Sequence, residues 1–236
     1  MGASATGTLY IVPTPIGNLE DLSRRTEKVL SECDLLACED TRVSGRLLSF
    51  LSLSVKMISY REENEVKKTK ELSEFLASGK KVALLSDAGY PSISDPGFRL
   101  VRECHRRGIS IVPLPGPNAA LTALAASGLP THQFLFLGFF PKKVSGIKNL
   151  LKRWEDFEGS LIFYESKYKI EKTLLLLCES YGEDRYVCLA RELTKLNETI
   201  LSGPLSLVIE KFLSGSSKGE FTLVVGPKNY SFGNDK

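Results

Sequence analysis

KVALL, Lys81–Leu85, runs without a break into SDAGYPSISDPG, Ser86–Gly97, and then into FRLVRECHRRG, Phe98–Gly108. The first five residues are apolar enough and short enough to be a buried strand. The next twelve carry two glycines, two prolines, three serines and two aspartates, residue types that bend a chain rather than extend it. The last stretch has the amphipathic spacing of a helix that ends at a glycine. Strand, elaborate polar loop, helix is the repeating unit of a parallel sheet.

Working outward, the same rhythm recurs through the first half of the chain. TLYIV (Thr8–Val12) precedes the helical pattern DLSRRTEKVLSEC, with Asp21 or Ser23 available as N-cap. DLLAC (Asp34–Cys38) precedes TRVSGRLLSFL, and KMISY (Lys56–Tyr60) precedes a charged helix that ends at Gly79. ISIVPL (Ile109–Leu114) leads into PGPNAALTALAASGLP. Alternation at this spacing predicts an α/β fold with a mostly parallel N-terminal sheet covered on both faces. After Gly128 the texture changes. FLFLGFF, LIFYES, RYVCLARELT and FTLVVGP read as strands of a mixed sheet. KIEKTLLLLCESYG and GPLSLVIEKFLSG read as helices, and NYSFGNDK as a frayed tail. The expected division is therefore 1–128, a Rossmann-like α/β domain, and 129–236, a second α/β domain.

Composition narrows the chemistry. At 236 residues, with 42% hydrophobic and 25% charged residues, the chain can bury a substantial core. No apolar run is long enough to cross a bilayer, and the N-terminus lacks the pattern of a secretory signal. Met1-Gly2 with Thr6 fits the loose N-myristoylation pattern, although a short disordered leader is the expectation. Cys33, Cys38, Cys104, Cys178 and Cys188 are an odd set without a C-x-x-C pair, which points to reduced thiols in a cytoplasmic protein. His105 and His132 alone give little material for a metal site or a Ser-His triad, so no metal is expected. The net charge of +3 is small, but Lys142, Lys143, Lys148, Lys152, Arg153, Lys167 and Lys169 gather mid-chain. Such a group is either a set of solvated helix faces or a footprint for a phosphate backbone.

In open parallel sheets ligands bind beyond the carboxyl ends of the strands. The loops at those ends are VPTPIGN, CEDTR, LSDAGYPSISDPG and LPGPNAA. Each alone is consistent with simple punctuation; four on one rim make a binding edge. A G-x-G-x-x-G fingerprint and a Walker lysine are both missing. VPTPIGN places prolines where a phosphate cradle needs free N–H groups. The expected ligand therefore lacks a phosphate chain and is held by backbone, carboxylates and small side chains.

The ordered set GTLYIVPTPIGNLEDL, CEDTR, LLSDAGYPSISDPG, VPLPGPNAALTALAASGLP, FLFLGFFP, FYES and RELTKL, from Gly7 to about Gly226, resembles the bacterial ribosomal small-subunit RNA methyltransferase I family. That family belongs to the tetrapyrrole methylase superfamily. The resemblance implies a two-domain tetrapyrrole-methylase-like fold with S-adenosylmethionine held in the cleft between the domains. It implies a homodimer that methylates the 2′-hydroxyl of a cytidine, position 1402 in the family, of 16S ribosomal RNA in the small subunit. No membrane or DNA partner is implied. The expected donor site comprises Pro13, Thr14, Asp87, Ala88, Gly89, Tyr90, Ile93, Asn118, Ala119, Tyr164, Glu165 and the backbone around Leu193.

For chemistry, a base beside the ribose hydroxyl is needed, and CEDTR supplies Glu39 and Asp40, with Arg42 to hold a phosphate. Asp40 is equally a candidate cap for the helix that follows. Asp95, before Pro96 and Gly97, reads as the N-cap of its helix. The chain departs from the family in carrying Ser166-Lys167-Tyr168-Lys169-Ile170 where Ser-Pro-His-Arg-Ile is common, Tyr90 where a small residue or threonine is common, and Asn197 for a histidine. It also stops at the last strand where many members add a small helical appendage. Two other functions fit the scaffold: methylation of a tetrapyrrole or other small molecule, and non-catalytic RNA binding in ribosome assembly.

Overall fold

A computed structural model describes residues 7–233; the leader pattern at Met1, Gly2 and Thr6 lies outside the described residues, as do the last three residues of the tail. The chain divides into two compact units, Met1–Asn118 and Ala119–Lys236.

The first unit holds β1 (Thr8–Val12), α1 (Arg24–Glu32), β2 (Leu35–Cys38), α2 (Thr41–Phe50), β3 (Met57–Ser59), α3 (Glu65–Ala77), β4 (Lys81–Leu85), α4 (Phe98–Arg107) and β5 (Ser110–Pro113). Its sheet has the order β3-β2-β4-β1-β5 with every pair parallel. Successive residues of a strand face opposite sides, and the core obeys that alternation. Leu9, Ile11, Leu35, Ala37, Val82 and Leu84 pack with Leu72 and Leu76 of α3 and Leu100 and Cys104 of α4. Val12, Leu36, Cys38, Ala83 and Leu85 pack on the other face with Val29 and Leu30 of α1 and Leu47 and Leu48 of α2. Continuous apolar strands are what a sheet buried on both sides requires. Of the two caps foreseen for α1, Ser23 serves: its hydroxyl accepts from the Thr26 N–H, while Asp21 closes a single 3-10 turn.

The second unit holds α5 (Ala119–Ala126), β6 (Phe134–Phe139), α6 (Val144–Arg153), β7 (Ser160–Ser166), α7 (Ile170–Tyr181), β8 (Tyr186–Arg191), β9 (Thr199–Pro204), α8 (Leu205–Leu213) and β10 (Glu220–Val225). Its sheet order is β6-β7-β10-β8-β9; only β6 and β7 run parallel. Leu161, Phe163, Leu189, Leu223 and Val225 meet α6, α7 and α8 in one core. Helix α5 packs on β10, β7 and β8, so the division by contacts falls before α5 rather than after Gly128. Strand β9 was not foreseen: Thr199 and Ile200 are exposed on a sheet edge, where burial leaves no pattern in the sequence.

All five cysteines are free thiols. Among the described residues no helix is long and apolar enough to cross a membrane, and no cluster of histidine, cysteine or acidic side chains could hold a metal.

Candidate active site

β4 and β1 are neighbours in the first sheet, yet the helices that follow them, α4 and α1, cover opposite faces. This is the switch point at which open sheets leave a crevice beyond the strand ends. Four loops are tied together there. Thr14 and Gly89 exchange backbone hydrogen bonds of 2.9 and 3.0 Å, and the Thr14 hydroxyl donates to the Ser86 carbonyl at 3.1 Å. Asp87 Oδ1 accepts the Asp40 N–H at 3.0 Å, joining the β2 loop to the β4 loop. Tyr90 donates its hydroxyl proton to the Leu114 carbonyl and accepts the Gly116 N–H, both at 3.0 Å, joining the β4 loop to the β5 loop. Gly89 has φ +75°, which lets the turn close on Thr14 without Cβ strain. Pro13 is buried against Gly116, where an added Cβ would stand 2.4 Å from Pro13 Cγ.

The expected donor residues of this unit thus occupy one rim, but with different tasks. Thr14, Gly89 and Tyr90 have their polar groups committed to the loops themselves. Ala88 and Ile93 are exposed, and Asp87 and Asn118 are half-buried. Ile93 stands between Ser92 and Ser94, whose φ values are +73° and +64°. Non-glycine residues rarely hold that conformation, and it concentrates at functional loops.

The acids divide sharply. Asp40 is the N-cap of α2: Oδ1 accepts the Arg42 N–H at 2.8 Å, and its carboxylate takes Nε and Nη2 of Arg42. Those bonds hold its carboxyl well below the usual carboxylate range. Glu39, one residue earlier, faces a drier place. Burial pushes its carboxyl up, and Asp87, Glu63 and Asp40 add to the shift. Asp95 is pushed up to about 7, first by burial and then by the negative charges of Glu39 and Asp87, with Ser86 partly opposing them through a hydrogen bond.

Asp95 is therefore not the helix cap that its place before Pro96 suggested. The N-cap of α4 is Gly97, and no side chain of its own loop caps the helix. The acceptor comes from Glu65 at the start of α3. Its Oε1 takes the Gly97 N–H at 3.1 Å and the Tyr60 hydroxyl at 3.2 Å, and its Oε2 takes Arg99 Nε at 3.0 Å. With the cap supplied from elsewhere, Asp95 is free to face Glu39 and Asp87. Glu65 had no signature in the run REENEV, since nothing there marks one acid among three as the buried one.

A carboxyl raised in the folded state is protonated there over a range in which the unfolded chain has already ionised. Its contribution to stability is complete below the unfolded value near 4 and is lost as pH rises through about 7. Asp95→Asn should consequently leave stability nearly unchanged at pH 4 and raise it by about 1–3 kcal/mol at pH 8. Urea unfolding of both chains at the two pH values measures this; equal midpoints at pH 8 would show that Asp95 ionises freely.

In the second unit, Glu165 of β7 is 3% exposed and fully engaged: Oε2 accepts from the Thr173 hydroxyl at 2.9 Å and Oε1 from the Ser166 N–H at 2.7 Å. Tyr164 lies on the opposite face of β7, edge-on to Phe136 and Phe139. Ala119 opens α5 and is half-buried. Leu193 is buried between Glu192 and Thr194, at φ +51° and +63°. A β-branched threonine at that angle is an outlier, matching the strained serines around Ile93.

Comparison with known proteins supplies the class. The family profile described as Tetrapyrrole (Corrin/Porphyrin) Methylases matches residues 8–208. Among solved structures, uroporphyrin-III-C-methyltransferase from Thermus thermophilus superposes with a TM-score of 0.64 at 21% identity, over 93% of this chain and 94% of that one, a likeness of fold. The chain is 46% identical to "Ribosomal RNA small subunit methyltransferase I" of Escherichia coli O157:H7, over 94% of its own length and 78% of the relative's. It is also 46% identical to the protein of that name in Haemophilus influenzae, over 98% and 82%. The chain belongs to the ribosomal RNA small subunit methyltransferase I family, within the tetrapyrrole methylases.

Proposed function

We propose that the chain is a cytoplasmic, homodimeric methyltransferase that uses S-adenosylmethionine to methylate the 2′-hydroxyl of a cytidine, position 1402 in the family, of 16S ribosomal RNA. What carries the reading is the 46% identity, over nearly the whole chain, to relatives named for methylation of small-subunit RNA. The rim residues fit the donor: carboxylates at Glu39, Asp87 and Asp95 suit a cation, and the Pro13 and Pro15 turn offers no cradle for phosphates. When bound, the donor supplies an electrophilic methyl on a positively charged sulfur.

Pro13, the Asp87–Tyr90 turn, Ile93 and Asn118 would hold the donor in the first unit. Glu39 would be the base that takes the proton of the ribose hydroxyl as that hydroxyl is methylated. A base whose carboxyl is raised by burial is better matched to that proton near neutral pH than an ordinary surface acid. Arg42 keeps Nε and Nη2 on Asp40, and its Nη1 would remain to meet a phosphate of the RNA backbone. Aligning the reacting atoms accounts for about 7–11 kcal/mol of barrier lowering in well-ordered sites.

The test is transfer of tritiated methyl from S-adenosylmethionine to small subunits from cells lacking the gene, followed by mass spectrometry of nuclease digests. A 2′-O-methylcytidine is expected. Label in a porphyrinoid instead, or absence of donor binding by calorimetry, would replace the reading with one of the two other functions above.

A further inference from the structure

The basic residues gathered mid-chain separate into two groups in the fold. Lys148 pairs with Glu179, and Lys152 and Arg153 sit in the last turn of α6, where the helix dipole favours cations. Those three are accounted for by local structure. Lys142, Lys143, Lys167 and Lys169 are not. They lie in the loops that follow β6 and β7, and among the described residues none of them forms an ion pair. Lys143 and Lys169 even occupy the N-cap positions of α6 and α7, with no capping side chain. A cation there is disfavoured by the dipole, so local stability does not explain the choice.

Because β6 and β7 are adjacent and parallel, their carboxyl ends share one edge of the second sheet. Aromatic rings stand at that edge. Phe136 and Phe139 are three residues apart and in a regular strand would point to opposite faces. An irregularity in register between them, at Gly138 with φ +68°, inserts one extra residue, so both rings meet Tyr164, at 4.9 and 5.6 Å. Phe139 remains 59% exposed. In the neighbouring loop Tyr168 is 85% exposed, with Lys167 Nζ 5.0 Å from its ring centre. Exposed rings interleaved with unpaired lysines match one kind of partner. The rings offer faces for unstacked bases, and the lysines meet the phosphates between them.

We propose that the β6–β7 edge is a docking surface for a single-stranded RNA segment, with bases stacking on Phe139 and Tyr168 and phosphates held by Lys142, Lys143, Lys167 and Lys169. This deepens the reading given under Proposed function, and rests on it for the identity of the RNA.

The probe is a fluorescein-labelled single-stranded oligoribonucleotide of about ten nucleotides, beside its duplex, titrated without donor across a range of salt concentrations. The Phe139→Ala/Tyr168→Ala double variant, which removes two stacking faces, should bind the single strand at least about 30-fold more weakly, with an unchanged salt slope. Lys142→Gln/Lys143→Gln/Lys167→Gln should lower the slope of log K against log salt by about 2. All these side chains are exposed, and unchanged thermal unfolding would exclude misfolding as the cause. Wild-type affinity in both variants, or duplex binding as tight as single-strand binding, overturns the proposal. Methyl transfer is scored separately. Transfer that survives in the β6–β7 edge variants with normal binding rejects this surface and leaves the enzyme reading standing; binding that depends on the edge, without transfer in the wild type, does the reverse.

Discussion

Glu39→Gln is expected to slow single-turnover methyl transfer to small-subunit RNA by about 10²–10⁴-fold, with donor affinity changed only a few-fold. Glutamine keeps the shape of the side chain and removes only its ability to take a proton. The separation from Asp40 is physical. Asp40 is bound by the Arg42 backbone and guanidinium and held as a strong acid, whereas Glu39 is raised by burial and by Asp87, Glu63 and Asp40. A base must be ionised to act, so wild-type rates should fall as pH drops through the raised Glu39 titration, and that limb should vanish in Glu39→Gln. Asp40→Asn should behave differently. Asparagine still offers an oxygen to the Arg42 N–H and keeps the α2 cap, but it loses the charge that holds the guanidinium, so Arg42 loosens and RNA binding weakens more than the bound complex slows. Rapid-quench measurements with saturating donor distinguish the cases. Full-speed transfer by Glu39→Gln would remove Glu39 from the chemistry.

Glu65→Ala should destabilise the protein by about 2–4 kcal/mol, read as a shift in urea unfolding. The carboxylate is 9% exposed and is the shared acceptor of the Gly97 N–H, the Tyr60 hydroxyl and Arg99 Nε. Its removal leaves the first turn of α4 and a buried hydroxyl short of acceptors, although Tyr60 keeps its contact with Thr69. A larger loss is not expected, because the Arg99 side chain is 51% exposed and can return its charge to water. Glu65→Gln, retaining one acceptor, should lose less than half as much. No change in the alanine variant would mean that α4 needs no cap. Since α4 follows the Ser86–Gly97 loop, donor affinity should fall together with stability.

Much of the first unit was legible because its strands are buried on both sides. Val82–Leu85 and Leu35–Cys38 are apolar throughout, and only a sheet covered by helices on both faces accommodates that. The loop chemistry was legible for a similar reason: glycine, proline and acids directly after a strand have few other uses. Strand β9 was hidden by its edge position: it begins with the exposed Thr199 and Ile200 and none of its apolar side chains is fully buried, so no alternation marks it. The irregularity at Gly138 did leave a trace, a glycine inside the run FLFLGFF, but its effect on Phe139 could not be read from spacing that assumes a regular strand.

The amino-acid sequence by itself determined most of the strands and helices, β9 excepted, which loops carry acids, and the family to which these motifs belong. Those properties are local, set by periodicity and by residue types that tolerate tight turns. Only the tertiary structure decided which acid does what. Asp95 reads as a cap until Glu65, thirty-two residues before Gly97 in the chain, occupies that role and leaves Asp95 facing Glu39 and Asp87. Protonation follows from burial and neighbouring charge, and both are created when distant segments meet.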